Sequence, residues 1–261
     1  MRSRACNQAG ASVLANIGFA LIGFVLLLAA LSIGYMHYQL SKTIRERPEL
    51  SLQPVPLPPA PPLDASGAPL NCAQVIEFAA PWGKPEDDNC AWSKGDTYLF
   101  IRWPDGREIR FGRPETVIDL FAREELRFPD DTSWIDECFG GQTDTRYEAM
   151  ARILNRVPQR PSFVAVPQLF CELLVIQWKE SVLGPEPTAI YSFENTAGRG
   201  FQVGDPAHSR EVRVHFYDKE NDHHHCLVFI AQPNAPAITQ SELDFILRSL
   251  RYVEEKRPPT G

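Results

Sequence analysis

No Asp, Glu, Lys or Arg occurs between Arg4 and Lys42 in this chain of 261 residues. The apolar centre of that gap, Ile17 to Met36, holds 20 residues. A helix of that length spans roughly 30 Å, about the thickness of bilayer hydrocarbon. The run is apolar all round, which excludes the one-sided pattern of an ordinary surface helix. No Ala-x-Ala site follows it, and it continues through Leu31, Ile33, Tyr35 and Met36, past the length of a signal-peptide core. It therefore reads as an uncleaved single-pass transmembrane helix over 13–38. Its C-terminal end gathers Tyr35, His37 and Tyr38 as an aromatic belt. It contains no GxxxG pair, so no dimerisation face is assigned.

Other absences narrow the function. GxSxG, HExxH, Walker and GxGxxG patterns are missing, and with them the familiar hydrolase, zincin, nucleotide and dinucleotide signatures. No cofactor is expected. No CxxC spacing occurs, which removes the usual zinc and thioredoxin-like readings. Lysine is scarce, 6 against 20 Arg, and no basic stripe exists to meet phosphates, so nucleic acid is excluded as a partner. No internal repeat appears.

What is present sets an architecture. A cytoplasmic tail (1–12) leads into the helix (13–38). Residues 39–70 form a proline-rich linker, with 8 prolines from Pro48 to Pro69. Such a tract favours polyproline II, and its densest twelve residues reach about 40 Å as a semi-rigid spacer. Arg2 and Arg4 nearly balance Lys42, Arg45 and Arg47 across the helix. The short N-terminal tail favours an N-in orientation, which places the rest of the chain in the periplasm.

Residues 71–261 carry 30 acidic against 21 basic residues, a net charge of −9 beside −7 for the whole chain. The acidic clusters Glu86-Asp87-Asp88, Asp130-Asp131 and Asp136-Glu137 read as solvated surface, or as the face met by a basic protein partner. Within this segment, 72–80 is open between strand and short helix. A strand over 97–103, a Pro104-Asp105-Gly106 turn and a return over 108–111 make a hairpin. A helix follows from Pro114 to Pro129, then an acidic loop to Gln142. Two capping boxes, Thr145-x-x-Glu148 and Thr239-x-x-Glu242, head further helices. The stretch 167–183 reads as a mostly buried central helix, ended by Gly184-Pro185. TAGRG at 196–200 reads as a turn. Strands are expected over 189–193, 201–203, 211–217 and 226–230. In the third of these Val212, Val214 and Phe216 share one side, and Arg213 and His215 the other. The whole is an α+β fold, an antiparallel sheet with helices packed on one face.

Five cysteines follow the helix. Cys72 and Cys90 flank a loop rich in Pro, Gly and Asp, and a bridge between them would staple it. The connectivity of Cys138, Cys171 and Cys226 stays open. The densest polar cluster is Asp218-Lys219-Glu220-Asn221-Asp222-His223-His224-His225. His223 and His225 share a strand face and are the candidate metal ligands, although a hairpin turn explains the same residues. A nucleophilic pair of Cys226 or Cys138 with a histidine is the alternative, but Cys226 opens a buried strand, which argues for an inert thiol, and no catalytic residue is assigned.

The strands from Phe201 to Ile230, followed by ITQSELDFILRSLRYV (238–253) with its Ser249-Leu250-Arg251 ending, resemble small α+β envelope domains of Gram-negative bacteria. Some of these are immunity proteins. The chain departs from their usual lipoprotein anchor by its transmembrane helix. The tether, the acidic domain and the missing catalytic signatures point to a membrane-anchored periplasmic binding module, and the resemblance implies an immunity protein that neutralises a secreted toxin. The alternatives are an accessory component of a secretion or division complex, and a hydrolase with an unrecognised site. No functional residue carries over.

Overall fold

The uncharged run folds into α1 (Ser3–Glu46), one continuous helix of 44 residues. Its stretch Ala20–Glu46 is long and apolar enough to cross a membrane, with a mean hydropathy of 2.0 in its best window and none of that window buried. Ser32 donates back to the Leu28 carbonyl at 2.9 Å, so its hydroxyl is satisfied within the helix. A 3₁₀ turn, Pro48–Ser51, follows where proline stops the helix. A computed structural model describes residues 3–63, 67, 69–72, 76–86, 98–112, 136–138, 140, 144–184, 187–196, 198–219 and 224–252. The expected helix over 114–129, most of the acidic loop after it and the tail beyond Tyr252 lie outside them.

The chain divides into two units, Met1–Pro48 with Pro158–Leu174, and Glu49–Val157 with Val175–Gly261. In the first, α1 has one covered and one open side near its C-terminal end. Leu40 is buried and Ile33, Gly34 and His37 are half-buried, while Tyr35 and Tyr38 are exposed.

The second unit is built on β-sheet. Its strands are β1 (Val55–Pro56), β2 (Pro69–Cys72), β3 (Ile76–Ala79), β4 (Tyr98–Arg102), β5 (Arg107–Gly112), β6 (Ile190–Glu194), β7 (Gly198–Val203), β8 (Glu211–Asp218), β9 (His224–Ala231) and β10 (Arg251–Tyr252). Seven of them form one sheet in the order β1-β6-β7-β8-β9-β5-β4, and three form another, β10-β3-β2. Every pairing is antiparallel except β1 with β6. The helices are α2 (Arg146–Asn155), α3 (Val166–Leu183), which begins in the first unit, and α4 (Gln240–Ser249). The fold is α+β, with a mostly antiparallel sheet. The segment left open at 72–80 holds a strand, β3.

Local signals place several elements. Thr145 caps α2 by accepting from the Glu148 amide, and Thr239 with Glu242 forms a complete capping box on α4. The hairpin turn closes from the Gly106 amide to the Trp103 carbonyl at 3.0 Å, with Gly106 at φ 89°, which only glycine adopts cheaply. Trp178 is buried, as expected of the central helix.

One apolar cluster joins Ile101, Ile109, Phe111, Val212, Val214, Phe216, Leu227 and Phe229 of the large sheet to Leu243, Ile246 and Leu247 of α4. The opposite side of β8 is covered too. His215 and Tyr217 are buried; His215 Nε2 lies 3.4 Å from the Val182 carbonyl of α3, and Tyr217 meets the Tyr147 ring of α2 at 5.7 Å. Helical residues therefore meet β8 from both sides, not from one. Alternation along a strand shows which residues share a side, and is blind to what lies over that side.

The glycines of TAGRG are strand residues, not a turn. Gly198 and Gly200 begin β7, where a side chain on Gly198 would strike the Phe216 ring and one on Gly200 the Phe193 ring. The connection from β6 to β7 is held by Asn195, whose side chain accepts from the Gly198 amide at 2.8 Å.

The proline tract does not stand free as a spacer. Val55 and Pro56 pair with Tyr191 and Ser192 of β6, and the Leu57 amide donates to the Ser192 carbonyl at 2.9 Å. Farther on, Pro58 and Pro59 line a hollow shared with Phe193 and Leu247, and Pro61, Pro62 and Leu63 another shared with Phe245. An edge position tolerates proline because one side of the strand needs no amide donor. Lys179 of α3, fully buried, locks the start of this tract. Its ammonium donates to the carbonyls of Leu50 at 2.8 Å, Leu52 at 2.9 Å and Arg156 at 2.7 Å. Burial lowers its pKa to about 8, which still leaves it charged at neutral pH.

Candidate functional site

His223 lies outside the described residues, and His225 is buried on the core side between Phe111, at 6.1 Å, and Phe216, at 6.4 Å. His224 points to the other side, as successive strand residues must. No group of three or more metal-binding side chains occurs among the described residues. Cys90 also lies outside them, so the Cys72–Cys90 bridge is not assessed. Cys138 and Cys171 are disulfide-bonded. Cys226 is a free thiol, and burial pushes its pKa up to about 11. Neither Cys138 nor Cys226 is thus poised as a thiolate nucleophile.

The histidines are instead structural parts of an aromatic stack. Tyr147 lies parallel to Phe201 at 5.1 Å, Tyr217 lies parallel to His224 at 4.6 Å, and His224 stacks on His215 at 5.3 Å. Arg199 sits over the Tyr147 ring at 4.1 Å. The Val182 carbonyl can only accept, so His215 carries its proton on Nε2. Its Nδ1 then accepts from His224 Nε2–H at 3.1 Å. Burial lowers His215 to about 4 and drives His224 well below its ordinary value, with the neighbouring His215, His225 and Arg146 adding to the second effect. Both rings are neutral at pH 7.

The same sheet side, followed across β9 to β5 and β4, becomes open. The register runs Arg213–Val228–Arg110–Phe100 in one row and Glu211–Ile230–Glu108–Arg102 in the next. Paired residues point to one side, so Phe100, Arg102, Glu108 and Arg110 share it with His215. Phe100 is 40% exposed. The Arg102 and Arg110 guanidiniums each lie 5.4 Å from its ring centre. Both also hold Glu108, Arg102 Nε at 3.0 Å and Arg110 Nε at 2.6 Å, which leaves that carboxylate buried between them. β4 ends the sheet, and among the described residues no strand pairs with its outer edge.

Beside this edge lies an open cavity of ≈ 380 Å³ lined by Glu86, Trp103, Arg107 and Gln232 together with the two clasping arginines. Arg107 is fixed there: Nη1 donates to Glu242 Oε1 at 2.7 Å, and its guanidinium lies 4.8 Å over the Trp82 ring. Trp82 Nε1 donates to the same Glu242 oxygen at 3.0 Å. The other Glu242 oxygen closes the capping box on the Thr239 amide at 2.7 Å. One side chain thus ties the start of α4 to the hairpin turn. The capping motif signalled only its local half.

Among the described residues the edge offers an exposed aromatic, two oriented guanidiniums and a strand that no further strand pairs, its Arg102 carbonyl accepting from the Glu86 amide at 2.8 Å. That combination suits an extended segment carrying carboxylates, added as a further strand. The acidic clusters singled out in the sequence fall mostly outside the described residues, and Asp136 within them pairs with Arg152 at 3.0 Å. Sequence reading missed the edge, because Phe100, Arg102 and Arg110 became neighbours only through the hairpin register. No family model, curated protein or solved structure matches the chain.

Proposed function

We propose that this chain is a single-pass inner-membrane protein whose α+β domain stands in the periplasm and captures a protein partner at its β4 edge. The observation that carries the reading is Phe100, exposed on an end strand and clasped by Arg102 and Arg110, in a chain headed by an unburied apolar helix. Aromatic and arginine side chains are the usual anchors of protein interfaces. The helix holds such a surface at the membrane, where an incoming protein would be intercepted. Neutralisation of a secreted toxin is the specific form proposed, on the resemblance of residues 201–253 to envelope immunity domains. Capture needs an interface of ordinary size, roughly 1,600 Å² in total, and no catalytic group.

The test is site-directed photocrosslinking in the full-length protein, with p-benzoylphenylalanine in place of Phe100 or of Lys219 on the β8 turn. The expected result is one discrete adduct from position 100, none from position 219, and loss of the adduct when Arg102 and Arg110 are both changed to Glu. A membrane complex recovered equally from either position, and unchanged by the charge reversals, would favour an accessory envelope component instead.

A further inference from the structure

We propose that the turn carrying Phe163 and Val164, with Phe170 of α3, dips into the interfacial layer of the bilayer beside the end of α1. It forms a shallow second anchor. The inference rests on the proposed membrane span and adds a lipid contact to it.

All the residues concerned belong to the first unit. The chain turns at residues 162–165, closed by the Ala165 amide donating to the Ser162 carbonyl at 2.9 Å. Phe163 and Val164 occupy the two corners. Turn corners ordinarily carry Gly, Pro, Asn, Asp or Ser. Here they carry a phenylalanine 59% exposed and a valine 87% exposed, and Phe170 in the first turns of α3 is 50% exposed. Three large apolar side chains so close in sequence are not the scattered surface hydrophobics of an ordinary domain.

Their height along α1 identifies the occupant. The Phe163 ring stacks on His37, with centroids 5.1 Å apart and planes 17° from parallel. His37 is the residue after Met36, where the apolar run ends. Tyr35 and Tyr38, exposed at 62% and 59%, mark the same level on the open side of the helix. Such aromatics settle at the boundary of hydrocarbon and headgroups. A ring stacked at that level shares the boundary. About a turn farther from the apolar run, Arg160 donates to the Ser41 carbonyl at 3.4 Å, close in sequence to Lys42 and Arg45 of α1 and to Arg47 just after it. Apolar side chains at the boundary with cations just outside it match a bilayer surface bearing anionic lipid.

The experiment uses the full-length protein in nanodiscs of phosphatidylcholine and phosphatidylglycerol. Two photoactivatable diazirine lipids are compared, one with the group near the glycerol backbone and one at the acyl terminus. Adducts are mapped by mass spectrometry. The shallow probe is expected to label Phe163, Val164 and Phe170, and the deep probe to label α1 around Leu26 but not the turn. Val164→Ser, at a site too exposed to matter for folding, should weaken the shallow adducts. Phe163→Ser with Val164→Ser and Phe170→Ser should abolish them, with the far-ultraviolet circular dichroism unchanged. Deep labelling of α1 with residues 157–179 at background would overturn the second anchor while leaving the span intact. Absence of any lipid adduct on α1 would overturn both. Protein–protein adducts at Phe163 in place of lipid adducts would assign the patch to a second polypeptide and also overturn the proposal.

Discussion

The two ends of the seven-stranded sheet are treated in opposite ways. At the β6 end the edge is occupied by the chain's own proline tract, through β1, and the nearby sheet side lies under α2 and α3. At the β4 end the described chain supplies no further strand, and Phe100, Arg102 and Arg110 reach solvent. An uncovered strand edge invites pairing with another chain, and proteins usually blunt it. Among the described residues a single end is covered in this way, and the fold that hides one edge leaves Phe100, Arg102 and Arg110 reaching solvent at the other.

Truncating one aromatic on the helix-covered side of the sheet and one at the open end gives the largest test of that contrast. Tyr217→Ala removes a buried ring from the stack with Tyr147 and His224 and should cost about 3–5 kcal/mol. Phe100→Ala at the open end should cost less than about 1 kcal/mol, because its ring is already wet. Thermal unfolding in detergent followed by near-ultraviolet circular dichroism reads both, and similar losses at the two sites would erase the distinction.

Next in size is Lys179→Met, which keeps the stem but strips the donor from three carbonyls and unties the start of the proline tract. A loss of about 3 kcal/mol is expected, with faster amide exchange at Leu57, whose hydrogen bond to Ser192 belongs to that tract. Unchanged exchange there would mean the edge cover holds without its lysine.

The last effect is a pH dependence confined to the helix-covered side of the sheet. Unfolded histidine takes up a proton below about 6.5, whereas His215 in the folded protein waits until about 4. Between those values the unfolded state binds more protons, so stability falls as pH falls. His215 alone should contribute about 2 kcal/mol of loss between pH 7 and pH 5, and His224, shifted the same way, adds to it. His215→Gln should flatten the profile in that window, while Arg102→Ala should leave its slope unaltered. An equal slope in wild type and His215→Gln would place the titrating groups elsewhere.

Much of the fold was legible where the signal was local. Thr145 and Thr239 announced α2 and α4 because a cap is completed within three residues. Pro104-Asp105-Gly106 announced the β4–β5 hairpin for the same reason, and the uncharged run announced α1. Long-range closure was not legible. The tract at 55–63 has the composition of a free spacer, and only the neighbouring β6 edge and the Lys179 ammonium make it part of the domain. Alternation set His215 on the side opposite Val212, Val214 and Phe216, but only the fold shows that Val182 and Tyr147 arrive from distant helices to cover that side. The candidate site was hidden in the same way. Phe100, Arg102 and Arg110 are ordinary strand residues until β4 and β5 pair, and the polar run at 218–225 drew attention that its buried histidines do not repay.

The account stands on α1 remaining attached and holding the domain outside the cytosol. The direct measurement is protease accessibility in spheroplasts of a Gram-negative host expressing the full chain with an epitope after Gly261. The account predicts a full-length species that stays with the membrane after alkaline carbonate extraction and loses its epitope to protease added from outside. A shortened, carbonate-soluble species lacking residues 1–38, or an epitope protected until the inner membrane is opened, would contradict it.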